Sequence, residues 1–354
     1  EMEQLPVLRS ITKWSATCTD PRRLREMIQT ALRMSMAGTP GPVFLELPFD
    51  ILMAQVDHNE LIVPPPLPAW PRTQADPQGI AAAAALIEKA EHPVVFAGSQ
   101  VYWEGAHQAL ARLCEVTNMP VVMNGMGRGT LPADHPQALN HARKRALRGT
   151  DLVVLIGTPL DFRIGFGAGI SPKAQIIHID RDPTQFNKNR IAEFCLSGSS
   201  DRVLDQLSSA LAGNAGAQLR ERIKPWLAEL AAEEAKGQAQ IDAHIAARGR
   251  PINHYQLSSA LAQALGAPKQ GRGAIADDAI LIGDGGDVVG LGSKVLPLRR
   301  PGQWMDPGPL GCLGVGAPFA IAAKALDPDN KQRVVVLSGD GSFGLNGFDF
   351  ETCV

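Results

Sequence analysis

The feature that most constrains the fold is a recurring unit, a short run of apolar residues that stops at a turn. Such runs occupy 93–98, 120–123, 151–157, 174–180, 279–282 and 334–337, and alanine-rich stretches such as 79–90 and 105–115 alternate with the earlier ones. An apolar run without polar alternation, bounded by turn residues, is the pattern of a strand buried on both faces of a parallel sheet. Alternation of such runs with helical stretches predicts an α/β fold with doubly wound parallel sheets. Ligands of such sheets sit beyond the carboxyl ends of the strands, so the residues that follow each run are where function is sought.

The last run, Val334 to Leu337, leads into Ser338, Gly339, Asp340, Gly341 and Ser342. A carboxylate between two glycines, beside exposed backbone N–H groups, suits a divalent cation bridging to a phosphate. The same residues also read as a glycine-rich turn whose aspartate caps the next helix. A second turn of this kind, Gly283, Asp284, Gly285, Gly286 and Asp287, follows the run at 279–282. On its residues alone it reads as a second cation loop.

Composition removes several classes. Hydrophobic residues make up 45% and charged residues 20% of 354, ordinary for a globular protein and enough for two or three domains. A net charge of −2 argues against a dedicated nucleic-acid binder. No apolar run reaches the length of a membrane span, and the first residues lack signal-peptide character. Five scattered cysteines (Cys18, Cys114, Cys195, Cys312, Cys353) with no Cys-x-x-Cys pair read as reduced thiols, predicting a cytoplasmic location. The eight histidines show no ligand spacing for zinc, and neither a nucleophile elbow nor a Walker loop is present.

Upstream of the last run stands Gly311-Cys312-Leu313-Gly314-Val315-Gly316-Ala317-Pro318. With Gly339-Asp340-Gly341 this resembles the diphosphate-binding domain of the thiamine-diphosphate enzymes of the acetolactate synthase and 2-hydroxyacyl-CoA lyase family. There a Gly-x-Met-Gly-x-Gly-x-Pro stretch, a helix and a strand precede Gly-Asp-Gly, and an Asn some two dozen residues on completes the metal motif, beyond Val354. The resemblance implies Mg²⁺ on Asp340 and a diphosphate held by Gly339, Gly341 and Ser342. It implies a covering loop from Asp284, Gly285, Gly286 and Asp287. The Gly311 carbonyl would accept the 4′-amino group, and Leu313, where the family usually has Met, would be the wedge under the bent cofactor. The activating Glu would come from the pyrimidine domain of a neighbouring subunit, which implies a homodimer or homotetramer with the active site at the interface.

Taken in order, residues 1–55 carry a capped helix signal (Thr19, Asp20, Pro21, then Leu24, Met27, Ile28, Ala31, Leu32) and a strand at 41–48. By resemblance they close a pyrimidine-binding domain whose remainder would precede Glu1, so the chain is expected to be a piece cut at both ends. Residues 56–77 are proline-rich (Pro64, Pro65, Pro66, Pro68, Pro71) and read as a linker. The expected domains are then a Rossmann-like central domain at 78–212, a polar helical connector at 213–250 with a solvated charged face, and the first part of the diphosphate domain at 251–354.

Three glycine clusters, at 98, at 125–129 and at 165–169, fail the dinucleotide fingerprint and read as strand-end loops. Leu160-Asp161-Phe162-Arg163 stands where acetolactate synthases place a Phe-Asp-Asp-Arg segment at the flavin. Arg163 suits FAD, an ADP-like group of CoA, or an ion pair with Asp161 equally. Asp-Gly-Gly-Asp at 284–287 and Trp304-Met305-Asp306-Pro307-Gly308 look most like the lyase branch. Two classes stay open: a C–C lyase or ligase acting on a 2-oxo acid or 2-hydroxyacyl-CoA, inactive as this stretch alone, and a non-catalytic nucleotide-binding or oligomerisation module.

Overall fold

The computed structural model describes residues 2–67, 69–247, 249–268 and 273–353; Glu1 and Pro68 lie outside them. The chain divides into two compact units, residues 1–72 and 73–354.

In the first unit, β1 (Trp14–Thr17) and β2 (Val43–Glu46) pair in parallel, Trp14 opposite Val43, across the helix Leu24–Met36. Asp20 opens that crossover as predicted, its carboxylate accepting the Arg22 N–H at 3.0 Å ahead of a short 3₁₀ turn that contains Pro21. β1 escaped the sequence reading because Trp-Ser-Ala-Thr is neither a continuous apolar run nor a clear alternation. Both strands are only half-buried, and Cys18 and Ala31 are the buried residues among those described here. Ile28, Leu32 and Met36 on the helix are exposed.

The second unit is built on two parallel sheets. The larger runs β5 (Ala138–Leu139), β4 (Val121–Met123), β3 (Pro93–Ala97), β6 (Leu152–Ile156), β7 (Gln175–Asp180), β8 (Phe194–Ser197). β3 and β6 are buried at every residue. Successive side chains enter opposite layers, as the pleat requires. Val95 and Ala97 pack with Ile87, Leu110 and Leu207 from the helices Pro77–Lys89, His107–Thr117 and Ser200–Ala210. Val94 and Phe96 pack with Leu147, Trp226 and Leu230 on the other face. Each fully buried large side chain contributes roughly 1.5–3 kcal/mol, which makes this double-faced layer the main source of stability.

The polar helical connector expected at 213–250 holds two helices, Asn214–Arg222 and Lys224–Ala246, with Pro225 in the first turn of the second. Its charges are not all solvated. Glu234 is buried, and its carboxylate accepts the N–H groups of Asn140 (3.0 Å), His141 (2.9 Å) and Ala142 (2.8 Å), the residues that lead into the helix Arg143–Gly149.

The smaller sheet has the order β10 (Trp304–Met305), β9 (Ala279–Asp284), β11 (Arg333–Ser338). β11 was expected to be buried on both faces. It is half-buried and begins with an exposed Arg333; among the described residues it pairs on one side, with β9. Val335 and Leu337 pack on the core around Leu281 and Trp304. Among the described residues no helix is long and apolar enough to cross a membrane.

Candidate functional site

The two glycine–aspartate loops stand side by side because β9 and β11 are paired, Ser338 opposite Asp284. The Gly339 N–H donates to the Asp284 carbonyl at 2.9 Å, which ties the end of one strand to the start of the other loop. Gly285 has φ +142°, and a Cβ there would stand 3.0 Å from Val288, 3.4 Å from the Gly339 nitrogen and 3.5 Å from the Ser342 hydroxyl. The pair of loops therefore closes only if that position is glycine.

Asp340 is exposed and is the first residue of the helix Asp340–Asn346. Among the described residues its carboxylate has no hydrogen-bond or ion-pair partner. Gly341 beside it would point a Cβ into open space, and Ser342 behind it is buried. A carboxylate without a partner among the described residues, a hydroxyl and the N–H groups of a helix start stand together here. Among the described residues no three His, Cys, Asp or Glu side chains gather as a metal cluster, so a cation here would take one protein carboxylate. Mg²⁺ is suited to that inventory, since it keeps waters and completes its shell with phosphate oxygens.

Asp284 is a different case. Its carboxylate is buried and accepts the N–H groups of Gly314 at 3.0 Å and Gly316 at 2.8 Å. A Cβ on Gly316 would lie 2.8 Å from Val336 and 2.9 Å from an Asp284 oxygen. The side chain read as part of a loop over the cofactor instead faces inward and caps the helix Gly316–Ala325. The physical reason is the sheet: β9 extends through Gly283 and Asp284, so Asp284 points into the layer between sheet and helix. Gly286 and Asp287 are exposed, with Asp287 opening the helix Asp287–Val295.

The segment from Gly311 to Gly314 is held at its far end by Asp284 and by Asn346, whose amide donates to the Gly314 carbonyl at 2.8 Å. Gly311 adopts φ +65° and Gly314 φ +88°, and between them Leu313 is 48% exposed. An apolar side chain held out on a glycine-flanked arm fits a wedge under a ligand. Asn346, Trp304 and Asp306 were not singled out as supports. Trp304 is buried against Gly283 and donates Nε1–H to Asp306 at 2.8 Å, and the same carboxylate takes the Gly308 N–H at 2.8 Å. The Asp-Pro-Gly run would have allowed that turn to be foreseen.

In the larger sheet the chain leaves β3 in one direction and β6 in the other, and Gly98 and Gly157 meet at that switch point. A Cβ on Gly98 would come 2.2 Å from the Gly157 carbonyl, so these glycines serve close approach of two strand ends. Arg163 forks onto Asp161 at 2.7 and 3.1 Å. Burial raises the Asp161 carboxyl, but the Arg163 guanidinium and N–H outweigh it and hold it below the ordinary carboxylate value. Cys18, Cys114, Cys195 and Cys312 are free, and burial pushes the Cys114 thiol up to about 12.

Comparison with known proteins agrees with this geometry. Residues 80–207 match the family described as thiamine pyrophosphate enzyme, central domain, and residues 284–354 match its C-terminal TPP binding domain. The chain is 32% identical to the acetolactate synthase large subunit IlvG of Mycobacterium tuberculosis over 356 residues, covering 100% of the chain. It is 29% identical to 2-hydroxyacyl-CoA lyase 2 of Homo sapiens over 394 residues and of Caenorhabditis elegans over 391 residues, covering 100% and 99% of the chain. It spans 61%, 59% and 59% of the length of these three relatives. By the matched central and C-terminal domains, the chain belongs to the thiamine pyrophosphate enzymes, with relatives named for acetolactate synthase and 2-hydroxyacyl-CoA lyase.

Proposed function

We propose that the chain holds thiamine diphosphate and Mg²⁺ in an enzyme that makes or breaks a C–C bond next to a carbonyl. The observation that carries this reading is the free carboxylate of Asp340, set between two glycines and in front of the buried Ser342. Bound thiamine diphosphate supplies a carbon nucleophile for the substrate carbonyl and an electron sink for the bond that changes. Asp340 would hold Mg²⁺ against the diphosphate, while Ser342 and the Gly341 N–H orient its oxygens; the Gly339 N–H is already spent on the Asp284 carbonyl. Gly285, Gly286 and Asp287 cover it through their backbone, and Asp284 acts behind them by fixing the Gly314–Gly316 turn. Gly311 offers its carbonyl to the aminopyrimidine, and Leu313 supports the bend. The activating Glu is assigned to a neighbouring subunit of a homo-oligomer.

The substrate is a 2-oxo acid or a 2-hydroxyacyl-CoA. The Asp-Gly-Gly-Asp loop at 284–287, by its likeness to the lyase branch, favours the acyl-CoA. Condensation of pyruvate is the second reading, favoured by the 32% identity to an acetolactate synthase. Calorimetry on the full-length protein tests the core of the proposal. Thiamine diphosphate should bind only with Mg²⁺, and Asp340→Ala should weaken that binding at least by the roughly 10–100-fold that even an outer partner of a metal is worth. Unchanged affinity in the variant would remove Asp340 from the site. No binding by the parent protein would leave the non-catalytic nucleotide module as the better description.

A further inference from the structure

Asp340 and the arm that carries Leu313 belong to one hydrogen-bonded circuit. The Gly339 N–H donates to the Asp284 carbonyl at 2.9 Å, the helix Asp340–Asn346 follows, and the Asn346 side-chain amide donates to the Gly314 carbonyl at 2.8 Å. The Gly314 N–H then returns to the Asp284 carboxylate at 3.0 Å. Among the described residues the Asn346 bond is the one hydrogen bond that joins this helix to the Gly311–Gly314 arm. Its direction is unambiguous, since a carbonyl takes a hydrogen bond from the NH₂ end of an amide and not from its oxygen.

The helix end and the arm are also in close contact. A Cβ on Gly314, at φ +88°, would lie 3.0 Å from Asn346 Nδ2 and 3.0 Å from Leu345 Cβ. The helix has seven residues, Gly341 and Gly344 among them, and so is too short and too weakly helix-forming to keep its shape without anchors at its ends. At about 1.5 Å per residue it sets its first and last residues roughly 9 Å apart. The first is the unengaged Asp340, and the last grips the arm one residue beyond Leu313. Asn346 is itself exposed, so its hydrogen bond, and not burial in a core, is what it contributes.

We infer that Asn346 is a positioning residue for the cofactor: it ties the seat of Leu313 and of the Gly311 carbonyl to the helix whose first residue holds the metal. This role rests on the thiamine diphosphate site of the proposed function. It divides the work within that site. Asp340 and Ser342 serve the diphosphate, and Asn346, through the arm, serves the ring end of the cofactor.

Calorimetry on the full-length protein with Mg²⁺, using thiamine diphosphate and inorganic pyrophosphate as separate probes, tests the division, because pyrophosphate reports the diphosphate end alone. Asn346→Ala should weaken thiamine diphosphate roughly threefold to tenfold, the worth of one neutral hydrogen bond, and leave pyrophosphate affinity within about a factor of two. Asn346→Asp keeps the shape but, when ionised, sets an acceptor against the Gly314 carbonyl; protonated, it offers an O–H donor again. Its deficit in thiamine diphosphate affinity, measured against the parent protein at each pH, should exceed that of Asn346→Ala at neutral pH and shrink as pH falls into the carboxyl range.

Equal loss of both ligands in Asn346→Ala would mean that the helix as a whole is disturbed, and overturns the assignment. So does unchanged thiamine diphosphate affinity in that variant, or an Asn346→Asp deficit that acid does not reduce. Where Asn346→Ala does not fold, or pyrophosphate does not bind, the pH profile of Asn346→Asp decides alone. Failure of the parent to bind thiamine diphosphate sinks the proposed function and this role together. Binding by the parent, with any of the overturning results in the variants, sinks this role alone.

Discussion

Gly283-Asp284-Gly285 and Gly339-Asp340-Gly341 are the same three residues at the ends of two paired parallel strands, yet their carboxylates do opposite things. In the register of the sheet Asp284 stands opposite Ser338, so Asp340 lies two residues further along. Asp284 is the last residue of its strand, buried, with both oxygens spent on the N–H groups of Gly314 and Gly316. Asp340 is already the first residue of a helix, exposed and unengaged. A two-residue offset against the strand end turns a structural cap into a candidate metal ligand. A strand-end aspartate is thus informative only once its register is known.

That contrast can be broken by experiment. The largest expected effect is Asp284→Ala, which leaves two buried N–H groups unpaired at roughly 1–3 kcal/mol each, so the protein should lose about 4 kcal/mol in urea unfolding. A loss under about 1 kcal/mol would mean water replaces the carboxylate and the cap reading is wrong. Next comes Gly316→Ala, whose methyl would be driven against Val336 and Asp284; overpacking of this kind costs about 1–3 kcal/mol. The same melt, together with cofactor titration, should show affinity falling in step as the Gly311–Gly314 arm shifts; intact affinity at reduced stability would uncouple the arm from the cap. The smallest effect belongs to Asp340→Ala, which should move the unfolding midpoint by no more than about 0.5 kcal/mol while cofactor binding collapses. A large loss of stability without cofactor would show that Asp340 has a structural partner after all.

Legibility followed local physics. The strands from 93 to 180 were visible because β3 and β6 are buried on both faces and carry apolar residues throughout. β5 and β10, two residues each, and β8, flanked by polar residues, carry too little pattern to register. Asp20 and Pro21 gave their capped turn away because capping is settled within a few residues. That Arg128, Arg143 and Lys294 meet Arg163 around one cavity was not legible: they are spread over more than 160 residues and come together only when sheet and helices pack.

The sequence by itself determined the α/β architecture, the parallel strand runs and the Gly-Asp-Gly and Gly311–Gly316 motifs, all of which depend on neighbours a few positions away. Only the tertiary structure decided which aspartate is spent and which is free, and that Glu234 in a polar helix is buried on three backbone N–H groups. Each of these depends on what a side chain meets across the sheet, and a carboxylate's role is fixed by whether distant backbone N–H groups or water reach it first.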